Sequence, residues 1–142
     1  MKIQIQRIDN SLPLPSYGTE GAAAVDLYSR LAMEIKPKSL ALIPTNIIVG
    51  TPPGYAFVVA SRSGTPRKKG LLIPHGFGII DSDYRGPEDE VMMQVYNFTN
   101  NVVLIEKGER IGQGYFTEVG RIEWEEIEGF GAPSRGGFGT SG

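Results

Sequence analysis

The sequence predicts an all-β chain, folded as a jelly roll or a small barrel. Three observations predict it. Apolar residues fall in runs of about three to eight, rich in Val, Ile, Phe and Tyr. The 19 glycines and 10 prolines are spread through the 142 residues and punctuate those runs. No window of about eleven residues carries a 3.6-residue apolar period, so no long helix is expected.

Taken in order, Ile3, Ile5 and Ile8 open the chain with a short alternation. Leu40–Ile43 stops at Pro44, and Ile47–Val49 stops at Gly50. Tyr55–Ala60 follows the turn Thr51-Pro52-Pro53-Gly54, and Leu71–Ile73 runs into Pro74. Val91–Phe98 carries Val91, Met93 and Val95 together with polar Gln94 and Asn97. Val102–Ile105 ends before Lys107-Gly108. Ile111–Phe116 and Arg121–Ile127 complete the series, with Ile122 and Trp124 of the last strand expected in the core. Thr65-Pro66 is expected to cap and open one short helical turn through Lys69. With no repeat and no linker, one β domain is expected over residues 1–130, followed by a flexible glycine-rich tail, 131–142. A sandwich of this kind has edge strands, and closed oligomers are one way to cover them.

Charge and composition narrow the function. Fourteen basic residues stand against 16 acidic ones, a formal charge of -2, which is no electrostatic footprint for nucleic acid. There is no cysteine, so disulfides and thiolate zinc sites are excluded. A single histidine cannot build a histidine metal cluster. The start, MKIQIQRIDN, has no apolar signal core, and no run reaches membrane-spanning length, so a cytoplasmic location is expected.

Four stretches carry candidate chemistry. GIIDSDYRG, Gly78–Gly86, reads as a strand entering a tight turn. It is either an ordinary hairpin or a carboxylate, Asp81, held where it can take a proton from water, with Tyr84 as a platform three residues on. SRSG, Ser61–Gly64, follows an apolar strand. Its hydroxyls, guanidinium and backbone N–H groups can hold an anion, or the loop is merely basic and solvated, as Arg67, Lys68 and Lys69 are expected to be. It is not a P-loop, because the spacing is wrong. Asp26 in AAAVDLYS is a loop cap or a carboxylate that orients a hydrated metal. Arg110 and Gln113 in KGERIGQGYF reach a ligand or line a solvated strand edge. His75 is expected at the surface, and Glu123, Glu125, Glu126 and Glu128 on a solvated acidic face.

The order of AAAVDLYS, SRSG, GIIDSDYRG, GERIGQ and RGGFGTSG resembles the five motifs of the trimeric deoxyuridine triphosphatase (dUTPase) family, from about Gly21 to Gly142. The related dCTP deaminases share the fold and a similar serine-arginine segment, but they do not usually end in such a glycine-phenylalanine-glycine tail. The resemblance implies a jelly-roll homotrimer with active sites at the subunit interfaces, hydrolysing dUTP to dUMP and pyrophosphate with Mg2+. It implies Asp81 as the general base that activates water for attack on the α-phosphorus. Tyr84 would pack on the deoxyribose. Gly78, Ile79 and Ile80 lie on the hairpin that reads uracil, with His75 and Met92 beside it. Arg62, Ser63, Gly64 and Gln113 would hold phosphates, and Asp26 would orient water on the magnesium. The tail would close from another subunit, with Phe138 stacked on the uracil beside Gly139, and Arg135 reaching the distal phosphates.

This chain also departs from the family pattern. Only Gly136-Gly137 separates Arg135 from Phe138, where the family often has more residues. His75 falls where an asparagine often helps read the base, Thr140-Ser141 reverses the common order, and Ala24 replaces a frequent glycine. Pro87-Glu88-Asp89 reads as a small insertion before Glu90.

Overall fold

Val91, Met93, Val95 and Asn97 point inward from one strand while Met92, Gln94 and Tyr96 are half-buried, the period-2 pattern of a sheet packed on one face. The same logic organises the whole chain in the computed structural model, which describes residues 1–137. Twelve strands form: β1 Gln4–Arg7, β2 Ser16–Tyr17, β3 Val25–Tyr28, β4 Met33–Ile35, β5 Leu40–Pro44, β6 Ile47–Gly50, β7 Tyr55–Ser61, β8 Leu71–Leu72, β9 Gly78–Ile80, β10 Met92–Asn97, β11 Val103–Ile105 and β12 Arg110–Glu118. The single helix among the described residues, α1, spans Thr65–Lys69.

The largest sheet has the order β2-β3-β12-β7-β9, and smaller ones pair β5-β10-β8, β1-β6 and β11-β4. The strand pairs are antiparallel throughout. This is an all-β jelly-roll sandwich; of the two expected architectures, the small barrel is not formed. Leu27, Ile43, Phe57, Val59, Met93, Val95 and Ile111 meet in one core. Phe57 is fully buried and packs on Phe116 with ring centroids 4.9 Å apart. The tip of its ring reaches Gly114, where a Cβ would run into it. That close approach makes glycine necessary in the middle of β12.

Two expectations change. Thr65 does not cap α1: the N-cap is Gly64 and it makes no side-chain cap bond. Gly70, at φ 69, ends the helix instead, with its N–H on Pro66 O, and a Cβ there would strike the Thr99 side chain. More consequential, Arg121–Ile127 is not a strand. Regular structure ends at Glu118, and Ile122 and Trp124 are 66% and 90% exposed rather than in the core. The reason is local. After Gly120 the segment pairs with no strand, and four of its six residues from Glu123 to Glu128 are carboxylates that resist burial.

Asn97 shows what holds the turns. Its buried amide donates to the carbonyls of Ile35, Lys36 and Asn101 at 3.0, 3.1 and 2.8 Å. Its oxygen accepts from the Thr99 N–H and hydroxyl at 2.9 and 2.8 Å. Truncation leaves several of these groups unpaired. Asn97→Ala is therefore predicted to cost about 2–4 kcal/mol, read from the urea midpoint; a loss below about 0.5 kcal/mol would refute the role.

Candidate active site

One strand register assembles the first half of the site. β12 runs between β3 and β7, and Gln113 stands opposite Asp26 on one side and Ala60 on the other. The β12–β3 register shifts between Arg110 and Gly112, so Ile111 is an extra residue, a bulge. Without it, Arg110 and Gln113 would point to opposite faces, because side chains alternate along a strand. With it, both line the same cleft as Asp26.

β7 ends at Ser61 and delivers Arg62, Ser63 and Gly64 to that cleft, whose volume is about 610 Å³. The Arg62 Nε lies 3.1 Å from Asp26 Oδ1, and the Arg110 Nη1 donates to Asp26 Oδ2 at 3.2 Å. Asp26 is thus a strand residue clamped by two guanidinium groups, not a loop cap. Gln113 Nε2 donates to the Ser61 carbonyl at 3.0 Å. Across the cleft Lys69 pairs with Glu109 at 2.7 Å. Arginine forks and hydroxyls around an open cleft suit a phosphorylated anion.

The second half is the hairpin around β9. β9 is the edge strand of the large sheet, so its outer N–H and C=O groups have no strand neighbour. Asp81 follows it, exposed, and opens a turn in which the Tyr84 N–H donates to Asp81 O at 3.3 Å. The Tyr84 hydroxyl donates to Glu90 O at 3.1 Å, which fixes the ring with 37% of the residue exposed. Glu90 is itself anchored. Arg30 holds its carboxylate bidentately at 2.9 and 2.8 Å, and the Asn46 N–H donates to it at 2.8 Å. Pro87-Glu88-Asp89 forms its own turn, closed by the Gly86 N–H on Asp89 at 2.6 Å. His75 is exposed beside Gly78, and Met92 is half-buried at the start of β10. Glu90 and Arg30 gave no sequence signal, because their pairing joins positions 60 residues apart.

These halves do not meet within one chain. Ile80 is level with Phe57 on β7, five residues short of Arg62. At ~3.3 Å per residue that is ~16 Å along the strand. β9 runs antiparallel to β7, so it carries the chain away from Arg62 as it approaches Asp81. Neither Asp81 nor Tyr84 lines the cleft that holds Asp26, Arg62, Ser63, Gly64 and Gln113. Arg135 is exposed, and Phe138 and Gly139 lie outside the described residues.

No group of three or more His, Asp or Glu residues is placed to hold a metal among the described residues. The cleft has two carboxylates, Glu109, held by Lys69, and Asp26, with both oxygens engaged by guanidinium groups. Such a donor set fits magnesium that is held mainly by phosphate oxygens and water, with a carboxylate bonding to a coordinated water.

The family model for dUTPase matches residues 10–142. The chain belongs to the dUTPase family. It is 40% identical to the deoxyuridine 5'-triphosphate nucleotidohydrolase of Dictyoglomus turgidum over 148 aligned positions, covering 100% of this chain and 99% of the relative. It is 41% identical to that of Haemophilus influenzae, covering 100% and 95%. Among solved structures, the dUTPase of Streptococcus mutans superposes with a TM-score of 0.78 at 31% identity, over 84% of this chain and 98% of that one. The dUTPase of Staphylococcus bacteriophage 80alpha matches with a TM-score of 0.85 at 24% identity, over 99% and 98%, a likeness of fold. The chain is an enzyme of this kind.

The Asp26 clamp has a measurable consequence. Its carboxylate occupies the position beside Arg62 and Arg110 that an anion would take, and a charge that close repels a phosphate by ~1–4 kcal/mol before screening. Without magnesium, Asp26→Asn is predicted to bind inorganic pyrophosphate about fivefold more tightly than the unaltered chain, by calorimetry. Weaker binding would show that Asp26 organises the arginines more than it competes for them.

Proposed function

We propose that the chain hydrolyses dUTP to dUMP and pyrophosphate at sites shared between copies of itself in a homotrimer. The observation that carries this reading is the separation of the two half-sites. Attack on the α-phosphorus needs Asp81 next to the phosphates, and the strand order sends Asp81 away from Arg62. A cleft from one subunit and a hairpin from its neighbour make one complete site. The segment beyond β12 supports the same assembly. Ile122, Trp124 and Phe130 are exposed, and burial against another subunit would cover them.

Each residue then has a task. Arg62, Ser63, Gly64 and Gln113 hold phosphate oxygens and fix the chain of phosphorus atoms for in-line attack. Asp81 accepts the proton of the attacking water, a role its exposed position at the end of β9 allows. Tyr84, tied to Glu90, presents a fixed ring to the deoxyribose and leaves no room for a 2′-hydroxyl. The edge groups of Gly78, Ile79 and Ile80 match the donor and acceptor pattern of uracil. Cytosine reverses part of that pattern and would leave buried groups unpaired. His75 and Met92 flank this hairpin. Bound magnesium neutralises phosphate charge, and Asp26 orients one of its waters. The tail, from residue 131, closes over the nucleotide with Phe138 on the base, Gly139 beside it and Arg135 toward the phosphates, and its closure excludes water. The body over residues 1–130 is the rigid domain, and a cytoplasmic location belongs to the same reading.

Pyrophosphate release from dUTP, dCTP, dTTP and UTP, with magnesium and then with a chelator, tests the reaction. Turnover is expected for dUTP alone and is lost with the chelator. Comparable turnover of several nucleotides would overturn the hairpin's role in selection. Asp81→Asn is predicted to lower kcat by about 10²–10⁴ while dUTP still binds. Sharing has its own test. Asp81→Asn and Arg62→Ala are each expected to be nearly inactive, yet co-refolded at equal amounts they should regain about a quarter of the activity, since a quarter of the sites would draw both intact halves. No recovery would mean that each site lies within one chain.

A further inference from the structure

The phosphate cleft carries more positive charge than the residues assigned so far use. Arg62, Arg67, Lys68, Lys69 and Arg110 line it, against the carboxylates Asp26 and Glu109. Lys69 is taken by Glu109, and Asp26 is shared between Arg62 and Arg110. Arg67 and Lys68 have no carboxylate partner among the described residues. The stem of Lys68 lies over Gly64, close enough that a Cβ there would stand 3.3 Å from Lys68 Cδ.

Two plainer accounts of this pair fall short. Both residues sit in the last turn of α1, where cations favour the helix dipole. A helix of five residues has little dipole to favour, and water screens it. A purely solvated basic face explains exposure, but not why the pair borders the one cleft already built for an anion.

We infer that Arg67, with Lys68 beside it, is a grip for the terminal phosphate of the triphosphate. This rests on the reaction proposed above. Arg62, Ser63 and Gln113 would then hold the phosphates nearer the sugar, and Arg67 the end that leaves as pyrophosphate. Its guanidinium offers a fork of donors that matches a phosphate's oxygens, and it has no competing carboxylate to leave first. The grip also suits the tail of this chain. Arg135 stands only three residues before Phe138, which limits how far apart a ring on the base and a guanidinium on the last phosphate can act. A distal contact fixed on the body of the protein does not depend on that reach.

Calorimetry on the full chain at physiological ionic strength tests the grip, with three probes: α,β-imido-dUTP, dUMP and inorganic tripolyphosphate. Arg67→Ala is expected to weaken the imido analogue and tripolyphosphate about tenfold and dUMP less than about twofold. Arg67→Lys should recover part of the loss. In turnover, KM for dUTP should rise by about the same factor, with kcat changed less. Equal losses for dUMP and the analogue, no loss, or a loss seen only at low salt would overturn the proposal, the last showing diffuse surface charge. Should the unaltered chain fail to turn over dUTP, the reaction above falls, but the grip is still decided. Tripolyphosphate binding that Arg67→Ala loses would uphold it, and binding that is insensitive to Arg67 would sink it.

Discussion

The hydrogen-bond ladder of β12 against β3 and β7 is the constraint on which the rest of the site depends. It sets Asp26, Gln113 and Ala60 in one row across the sheet. Because side chains alternate with a period of two, a slip of one residue would turn Asp26 or Gln113 to the other face and dismantle the cleft. The core resists such a slip. Phe57 needs the bare backbone of Gly114, and the neighbouring Gly112 leaves room for Met93, so each glycine is specified by a ring or thioether packed on it. Packing of the buried face thus fixes the register, and the register places the polar face. The bulge at Ile111 is the one irregularity, and it falls where it brings Arg110 and Gln113 to one side. A perfect ladder would have given a more regular sheet and a poorer anion site.

A second consequence concerns charge. An empty cleft lined by several guanidinium and ammonium groups would repel itself. Asp26 and Glu109 relieve part of that repulsion and hold Arg62, Arg110 and Lys69 in place. An anion entering this cleft would compete with a carboxylate already in position, which would lower raw affinity but remove the need to order flexible arginines. The hairpin follows a similar design with different groups. Tyr84 is not packed in the core. It is held by Glu90, which Arg30 and Asn46 hold in turn. The aromatic surface stays open while its orientation is set from beneath.

Much of this was legible in the sequence. Short β-branched runs between turn formers announced the sandwich, and β5, β6, β7, β10 and β12 formed close to where the apolar runs lie. The chemistry-bearing segments were legible as motifs, and Asp26, Arg62, Ser63, Gly64 and Gln113 do share a cleft. What was not legible has physical causes. The bulge cannot be seen in RIGQG, because it exists only relative to the partner strand. The ion pair of Arg30 with Glu90 joins residues whose neighbourhood is created by folding. Trp124 misled because hydrophobicity reports a demand for burial and not which chain satisfies it. Its alternation with Ile122 reads as a strand, but the segment pairs with no strand and both residues stay exposed. Arg67 and Lys68 are exposed, as a run of basic residues suggests; what the sequence could not show is that they border the cleft.

The same reasoning bears on why a small β domain would divide its site. The sandwich offers two kinds of polar edge, the cleft where β7 and β12 open out and the free edge of β9, and they lie on different parts of one sheet. Bringing both to one nucleotide inside a single chain would require long loops, whose ordering costs conformational entropy at every residue. A rotation of identical chains brings cleft and hairpin together with no such loop. It also covers exposed edge strands and the apolar segment around Trp124 in the same step. Assembly and activity would then be linked. The interface that hides Trp124 would align Asp81 with Arg62, and weakening it would remove catalysis before it unfolds the domain.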